Sequence, residues 1–160
     1  MELLLIRHAQ AESHRFDDAA RVLTEKGELQ ARSVGEFLKK NKLLPEVTLA
    51  SPLIRAKQTA EIFCDVCGLD APVIEPWLAC GMRPNRAAAE LKAYAEFERV
   101  AIVGHEPDFS YLAEWLLGCE AGGIHVRKAS VIQISDVRPP SQGGYLQMLV
   151  PAKVHRAVSE

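Results

Sequence analysis

The chain has 160 residues, of which 48% are hydrophobic and 25% are charged, a composition that suits one compact domain with a core of its own. Its 19 basic and 21 acidic residues give a formal net charge of −2, so its overall field does not attract nucleic acid or anionic lipid. Any affinity for anions must come from a few well-placed cations, and neither nucleic acid nor a membrane is expected as a partner.

The first half of the chain alternates short apolar runs with amphipathic segments. Residues 2–6 predict a strand, and residues 25–40 predict a helix that has Thr24 as its N-cap. Residues 47–50 predict a second strand, and the helix after it is expected to have Ser51 as its N-cap. The apolar face of the first helix is predicted to consist of Leu29, Val34, Phe37 and Leu38.

The second half continues this alternation and ends in two strands. The predicted elements are a short strand at 72–75, a polar helix at 86–97, a strand at 99–103 and a helix from Pro107 to about Gly118. Residues 130–134 and 145–150 predict two more strands, which pair as a hairpin at the sheet edge. The repeated strand–helix order predicts an α/β fold, a three-layer sandwich in which helices cover both faces of a mostly parallel central sheet. Because there is no internal repeat or long linker, we expect a single domain over residues 1–160.

The apolar run at the N-terminus bears on where the protein works. It covers residues 3–6 and is followed at once by Arg7, which is too short for a secretory signal or a membrane span. We therefore expect the protein in the cytosol, where its four cysteines stay reduced. Cys64 and Cys67 form a C-x-x-C pair near the end of a predicted helix, whereas a redox pair lies at a helix start. We interpret them as core residues, in preference to a redox pair or half of a metal site.

Reactive side chains follow three of the predicted strands. Arg7 and His8 follow the first strand, and Arg55 lies one turn into the helix after the second. His105 follows the strand at 99–103. Because the carboxyl ends of parallel strands lie along one edge of the sheet, where ligands bind, we predict that these two arginines and two histidines converge.

Such a set of side chains suits a phosphoryl group. The transferring group spreads negative charge over its oxygens, and the planar fork of an arginine matches that geometry. The helix starts that follow Ser51 and Glu106 add backbone N–H donors. A neutral imidazole is a competent nucleophile, and nearby arginines disfavour its protonated form.

Four segments resemble motifs of the histidine phosphatase superfamily, also called the phosphoglycerate mutase-like superfamily. Residues 5–9, L-I-R-H-A, resemble its Arg-His-Gly signature, with Ala9 in place of the glycine. Residues 23–27, L-T-E-K-G, resemble its L-T-x-x-G helix start. Residues 51–60, S-P-L-I-R-A-K-Q-T-A, resemble its S-P-L-x-R-A-x-Q-T-A segment, and residues 104–107, G-H-E-P, resemble its second histidine motif.

The resemblance implies a role for each matching residue. His8 would accept the phosphoryl group, and Arg7, Arg55 and His105 would line the phosphate pocket and stabilise the transferring group. No metal and no other cofactor is implied, because the arginines supply the positive charge. Arg21, just before the second motif, is a candidate for a further anion contact or else a surface cation.

The substrate is predicted from what this chain lacks. It has little room for the insertions that cap the pocket in larger members of the family, so it resembles the short phosphohistidine phosphatase branch. Residues 75–83, where ester-cleaving members often carry a proton donor, hold no acid after Glu75. Phosphohistidine needs less help, since it releases a neutral imidazole. Glu106, a candidate substrate contact, and Asp108 could still reach the pocket, or else could complement the dipole of the helix they begin.

Other polar residues have two interpretations each. His14 and Arg15 follow His8 in a loop, where they either touch substrate or are solvated. Three residues before the penultimate strand are His125, Arg127 and Lys128. They either bind an acidic partner or form a polar entrance to the strand. His155 is expected in a frayed terminus.

The sequence therefore predicts a phosphatase that transfers a phosphoryl group to His8 and then to water, from phosphohistidine on a protein. A general small-molecule phosphomonoesterase or pyrophosphatase on the same scaffold is the nearest alternative. A non-catalytic module that binds phosphorylated partners is the second. The expected partner is accordingly a phosphorylated protein or a small phosphate compound.

Overall fold

The computed structural model describes residues 1–13 and 16–159, so the predicted contacts of His14 and Arg15 lie outside the described residues. The strands are β1 (Glu2–Arg7), β2 (Val47–Ala50), β3 (Val73–Ile74), β4 (Arg99–Gly104), β5 (Val131–Ser135) and β6 (Tyr145–Val150). The helices are α1 (Glu25–Lys40), α2 (Ile54–Cys67), α3 (Pro84–Leu91), α4 (Asp108–Leu117) and α5 (Ala152–Ser159), with 3₁₀ turns at Pro76–Leu78 and Lys92–Tyr94.

The six strands form one sheet in the order β3-β2-β4-β1-β5-β6. The first four strands of the chain run parallel, and β5 and β6 form an antiparallel hairpin at one edge. In this register Arg7 lies beside Gly104, and Ala50 lies beside Val103. The carboxyl ends of β1, β2 and β4 are therefore level, and the residues that follow them meet at one edge.

The sheet separates two apolar cores, and successive residues of β1 alternate between them. Leu4 and Ile6 pack on the face that α1, α2 and α5 cover. Leu3 and Leu5 pack on the face that α3 and α4 cover. The α/β three-layer fold with a mostly parallel sheet and an edge hairpin is thus confirmed. No helix in the described part of the chain is both long and apolar enough to cross a membrane.

Several local predictions are also confirmed. Thr24 caps α1, because its Oγ accepts a hydrogen bond from the amide of Gly27 at 3.1 Å. Cys64 and Cys67 are free thiols buried in the core. Burial raises the pKa of Cys67 to about 11, so this thiol stays protonated at neutral pH and inert.

Four local expectations are wrong. Helix α2 begins at Ile54 without a side-chain cap. The Oγ of Ser51 is hydrogen-bonded instead to the ring of His105. Helix α3 spans Pro84–Leu91 and not 86–97, since a proline suits the first turn of a helix. Leu29 is 51% exposed and not part of the buried face of α1. His155 is fully buried in α5, where its ring is hydrogen-bonded to a serine hydroxyl of α1 and to a backbone carbonyl.

Candidate active site

The structure brings three of the predicted residues to the carboxyl ends of neighbouring parallel strands. His8 directly follows β1, His105 directly follows β4, and Arg55 lies in the first turn of α2 after β2. The amide of His8 donates to the carbonyl of Gly104 at 3.0 Å, which holds two of these strand ends together. His8, Arg55 and His105 are only 5%, 4% and 2% exposed, so each depends on protein groups for its hydrogen bonds and charge balance.

Two hydrogen bonds define which nitrogen of His8 carries hydrogen. Nδ1 lies 2.8 Å from the carbonyl oxygen of Ala9, and Nε of Arg55 lies 3.3 Å from Nε2. A carbonyl can only accept and a guanidinium can only donate, so Nδ1 carries the hydrogen and Nε2 presents a lone pair. Thr59 braces both partners, since its Oγ accepts from the amide of Ala9 at 3.0 Å and donates to the carbonyl of Arg55 at 2.7 Å.

Burial and neighbouring positive charge keep both histidines of this cluster neutral. Burial is the largest cause that lowers the pKa of His8 to about 3, and His105, Arg55 and Arg7 lower it further, against an opposing hydrogen bond to the backbone. Burial likewise lowers the pKa of His105 to about 4, with Arg55 as the next cause. At neutral pH the nucleophilic form of imidazole is therefore the form present.

Two buried nitrogens of the cluster have no hydrogen-bond partner among the described residues. They are Nε of Arg7 and Nδ1 of His105. Each of these two side chains makes one hydrogen bond through another nitrogen. Nη1 of Arg7 donates to the carbonyl of Val126 at 2.8 Å, and Nε2 of His105 lies 2.7 Å from Oγ of Ser51. The rings of His8 and His105 are 5.3 Å apart between centroids. Buried nitrogens without a partner, beside the positive charges of Arg7 and Arg55, favour an anion.

Arg55 is already held on its outer side by an acidic residue that the sequence did not single out. Its Nη1 donates to the carbonyl of Asp18 at 2.9 Å, and its Nη2 lies 3.2 Å from the Asp18 carboxylate. Arg21 joins the same carboxylate at 3.0 Å and donates from Nε to the carbonyl of Glu12. Arg21 therefore reaches the cluster through Asp18, and its role as an anion contact stays a prediction.

The two acids at the start of α4 are both engaged by backbone amides. The carboxylate of Glu106 accepts from the amide of Ser110 at 2.9 Å and from its hydroxyl. Asp108 is buried, and its Oδ2 accepts from the amides of Gly81 and Met82 at 2.9 and 3.1 Å. Burial raises the pKa of Asp108 in spite of these two bonds. The Glu106 carboxylate thus satisfies an amide in the first turn of α4, and its contact with substrate stays a prediction.

Sequence reasoning missed three contacts of the cluster. Asp18 lies in a stretch without a periodic pattern, and Cys80 lies in an irregular loop, with its Sγ 3.7 Å from Nη2 of Arg55. Ser51 was assigned to a helix cap, but the parallel register of β2 and β4 places it beside His105. Within the described residues, no group of three or more His, Cys, Asp or Glu side chains is arranged to hold a metal ion.

Comparisons with known proteins identify the family and the fold of this chain. Residues 3–78 match the family model of the histidine phosphatase superfamily, branch 1. The chain is 31% identical over 116 residues to the phosphohistidine phosphatase SixA of Escherichia coli (strain K12), which covers 70% of this chain and 71% of that protein. It is 32% identical over 143 residues to an uncharacterized protein of Picosynechococcus sp. (strain PCC 7002), with 82% and 83% covered. The structure of the protein histidine phosphatase SixA complexed with tungstate superposes with a TM-score of 0.86 at 24% identity, over 96% of this chain and 99% of that one.

Proposed function

This chain belongs to the histidine phosphatase superfamily and is a phosphatase of that family, and we propose that it transfers the phosphoryl group of a protein-bound phosphohistidine to His8 and then to water. The observation that carries the proposal is the lone pair on Nε2 of His8, which lies 3.3 Å from Nε of a buried Arg55. An attacking atom beside a fixed guanidinium is the arrangement that phosphoryl transfer requires. The SixA relative, by its name a phosphohistidine phosphatase, supports the choice of substrate.

In the first step, Nε2 of His8 gives up its hydrogen bond from Nε of Arg55 and forms a bond to phosphorus, while the bond from phosphorus to the substrate imidazole breaks. The N–H of Arg55 that is freed in this way donates to an oxygen of the transferring phosphoryl group. The electron pair of the broken bond stays on the substrate ring, which leaves as neutral imidazole when its other nitrogen is protonated. The ring of His8 gains positive charge, and the carbonyl of Ala9 stabilises it through the hydrogen on Nδ1. The pKa of about 3 keeps His8 unprotonated, and so nucleophilic, before the step.

In the second step, water attacks the same phosphorus and the bond to Nε2 of His8 breaks. Water adds its oxygen and both of its hydrogens to the phosphoryl group, which leaves as dihydrogen phosphate, and His8 returns to the neutral state with hydrogen on Nδ1. The leaving group is again a neutral imidazole. The second step needs no acid to protonate the nitrogen that leaves. The first step has the same kind of leaving group when the substrate is phosphohistidine, so it needs no acid either.

The transferring oxygens are stabilised by donors that the described protein groups leave unused. We assign this task to Nε of Arg7 and Nδ1 of His105, both buried without a protein partner, together with Arg55. The amide of Leu53 donates to Oγ of Ser51 at 3.2 Å. The hydroxyl hydrogen of Ser51 can then bond to Nε2 of His105, which keeps a hydrogen on Nδ1 to donate to phosphate.

One observation favours a phosphomonoesterase as the second candidate function. An ester releases an alkoxide and needs a proton donor, which contributes about 100-fold or more to the rate. Asp108 is a buried carboxyl with a raised pKa, and the loop it holds, Gly81 and Met82, adjoins the Cys80 that contacts Arg55. The hydrogen bonds to its Oδ2 favour the ionised form, however, and this weakens Asp108 as a donor.

A substrate comparison separates the two functions. We expect kcat/KM for a phosphohistidine-bearing protein and for phosphoramidate to exceed that for glycerol phosphate, an ester with an alkoxide leaving group, by about 100-fold, the contribution that a general acid would make. The assays include a chelator, and the activity is expected to persist. His8→Ala should abolish all turnover while melting at a similar temperature. A preference for the ester, or full activity of His8→Ala, would overturn the proposal.

A further inference from the structure

A cationic groove adjoins the candidate active site at Arg7. Its cavity volume is about 490 Å³. The residues that line it include Arg7, Gln30, His125, Arg127, Lys128 and Lys153. Four parts of the fold thus contribute: the end of β1, helix α1, the segment before β5 and the first turn of α5. Arg7 belongs to both the groove and the candidate active site, so the two sites are continuous.

The charge of the groove differs from that of the chain as a whole. Its lining includes the cations Arg7, Arg127, Lys128 and Lys153 and no carboxylate, although the chain has a net charge of −2. In the described part of the chain, none of these four forms an ion pair with a carboxylate. A local excess of unpaired cations beside an active site attracts anionic groups and speeds their association.

The cations of the groove also affect one another. Lys128 is half-buried, and burial lowers the pKa of its ammonium, with Arg7 and Arg21 as further causes. The first turn of α5, at Ala152 and Lys153, lies along the groove and adds the positive end of the helix dipole. An incoming carboxylate would relieve this repulsion, so the groove and an anionic partner stabilise each other.

We propose that the cationic groove binds carboxylate side chains on the surface of the protein that carries the phosphohistidine. This inference rests on the proposed function, because a phosphohistidine that reaches His8 brings the surrounding surface of its protein over Arg7. His125, Arg127 and Lys153 are exposed, so they form an open rim suited to a protein surface. Small-molecule sites, in contrast, enclose most of their ligand.

The test compares a protein substrate with a small one. We expect the double variant Arg127→Glu/Lys153→Glu to raise KM about 10-fold for an acidic phosphohistidine-bearing protein, since each reversed rim charge acts mainly on association. For phosphoramidate, which is too small to reach the rim, kcat/KM should stay within about two-fold. Lys92→Glu is the matched control, because this exposed lysine lies in the 3₁₀ turn after α3, on the opposite helical layer, and it should change neither value.

A measurement on the unchanged enzyme gives an independent readout. Raising the salt concentration should increase KM more for the acidic protein than for phosphoramidate, and the double variant should lose this difference. If the unchanged enzyme hydrolyses neither substrate, the proposed function fails. If it hydrolyses the protein substrate but the double variant keeps the original KM and salt dependence, the groove proposal alone is overturned. An equal loss of phosphoramidate activity in a folded double variant would also overturn it, because the effect would then lie in catalysis.

Discussion

At the scale of single residues, the site depends on the geometry of Arg55 as well as on its charge. Its Nε donates to His8, while its two outer nitrogens contact Asp18 and the sulfur of Cys80. A lysine would keep the charge, but its single ammonium cannot reproduce three directed contacts from one rigid plane. The residue thus fixes the orientation of His8 and the position of positive charge at the same time.

We predict that Arg55→Lys lowers kcat/KM for phosphoramidate by about 100-fold, the size of effect expected when one directed donor to the transferring oxygens is lost. The matched control is Arg32→Lys on the exposed side of α1, which should leave kcat/KM unchanged. Steady-state kinetics measure both, and thermal melting checks that the variants fold. Activity of Arg55→Lys near that of the unchanged enzyme would mean that charge alone is sufficient.

The residues that the sequence predicted and those it missed differ in how they are held. His8 and His105 directly follow strands, so apolar runs in the sequence are enough to place them at one sheet edge. Asp18 reaches Arg55 from a loop whose path depends on packing, and its neighbours in sequence give no periodic signal. Backbone position was therefore predictable, whereas the charge balance of the cluster was not.

At the scale of elements, the first turn of α1 holds the loop that follows β1. The amide of Thr24 donates to the carbonyl of Gln10 at 3.0 Å, and the amide of Gln10 donates to the side chain of Gln30 at 2.9 Å. A Cβ on Gly27 would come within 1.9 Å of that same carbonyl oxygen of Gln10. The glycine of this motif is thus needed for a close approach of helix to backbone, two residues beyond His8.

We predict that Gly27→Ala lowers the free energy of unfolding by about 2 kcal/mol or more, because the clashing atom is backbone and cannot move aside as a side chain would. Activity should fall as well, since a displaced Gln10 moves the chain near His8. Gly123→Ala is the matched control: a Cβ there meets nothing within 4 Å. Urea denaturation of both variants measures the difference, and equal stabilities would contradict this account of the motif.

Elements were predictable where burial produces a periodic pattern. Strands β1 and β4 are buried on both faces and appear in sequence as continuous apolar runs. Helix α5 was missed because one of its buried positions is His155, whose ring is hydrogen-bonded to Ser33 and to the carbonyl of Ala129. A buried polar residue gives no apolar signal, and only the tertiary structure supplies its partners.

At the scale of the whole molecule, three buried histidines link stability to pH. The pKa values of His8 and His105 are lowered to about 3 and about 4, in both cases chiefly by burial. Burial also lowers the pKa of His155, which joins α5 to the rest of the fold. All three imidazoles therefore bind a proton more readily in the unfolded chain than in the folded one.

We predict that the free energy of unfolding falls as the pH is lowered from 7.5 to 5.5. Since the folded pKa values lie below the ordinary value of 6.5, the unfolded chain takes up protons in this range while the folded chain does not, so acid favours unfolding. His8 and His105 together account for a loss of about 3 kcal/mol, and His155 acts in the same direction. Urea denaturation at the two pH values measures the change, and His155→Ala should show a smaller pH dependence than the unchanged protein. A stability that stays constant over this range would show that the histidines titrate alike in both states, which would contradict the neutral, nucleophilic His8 on which the mechanism depends.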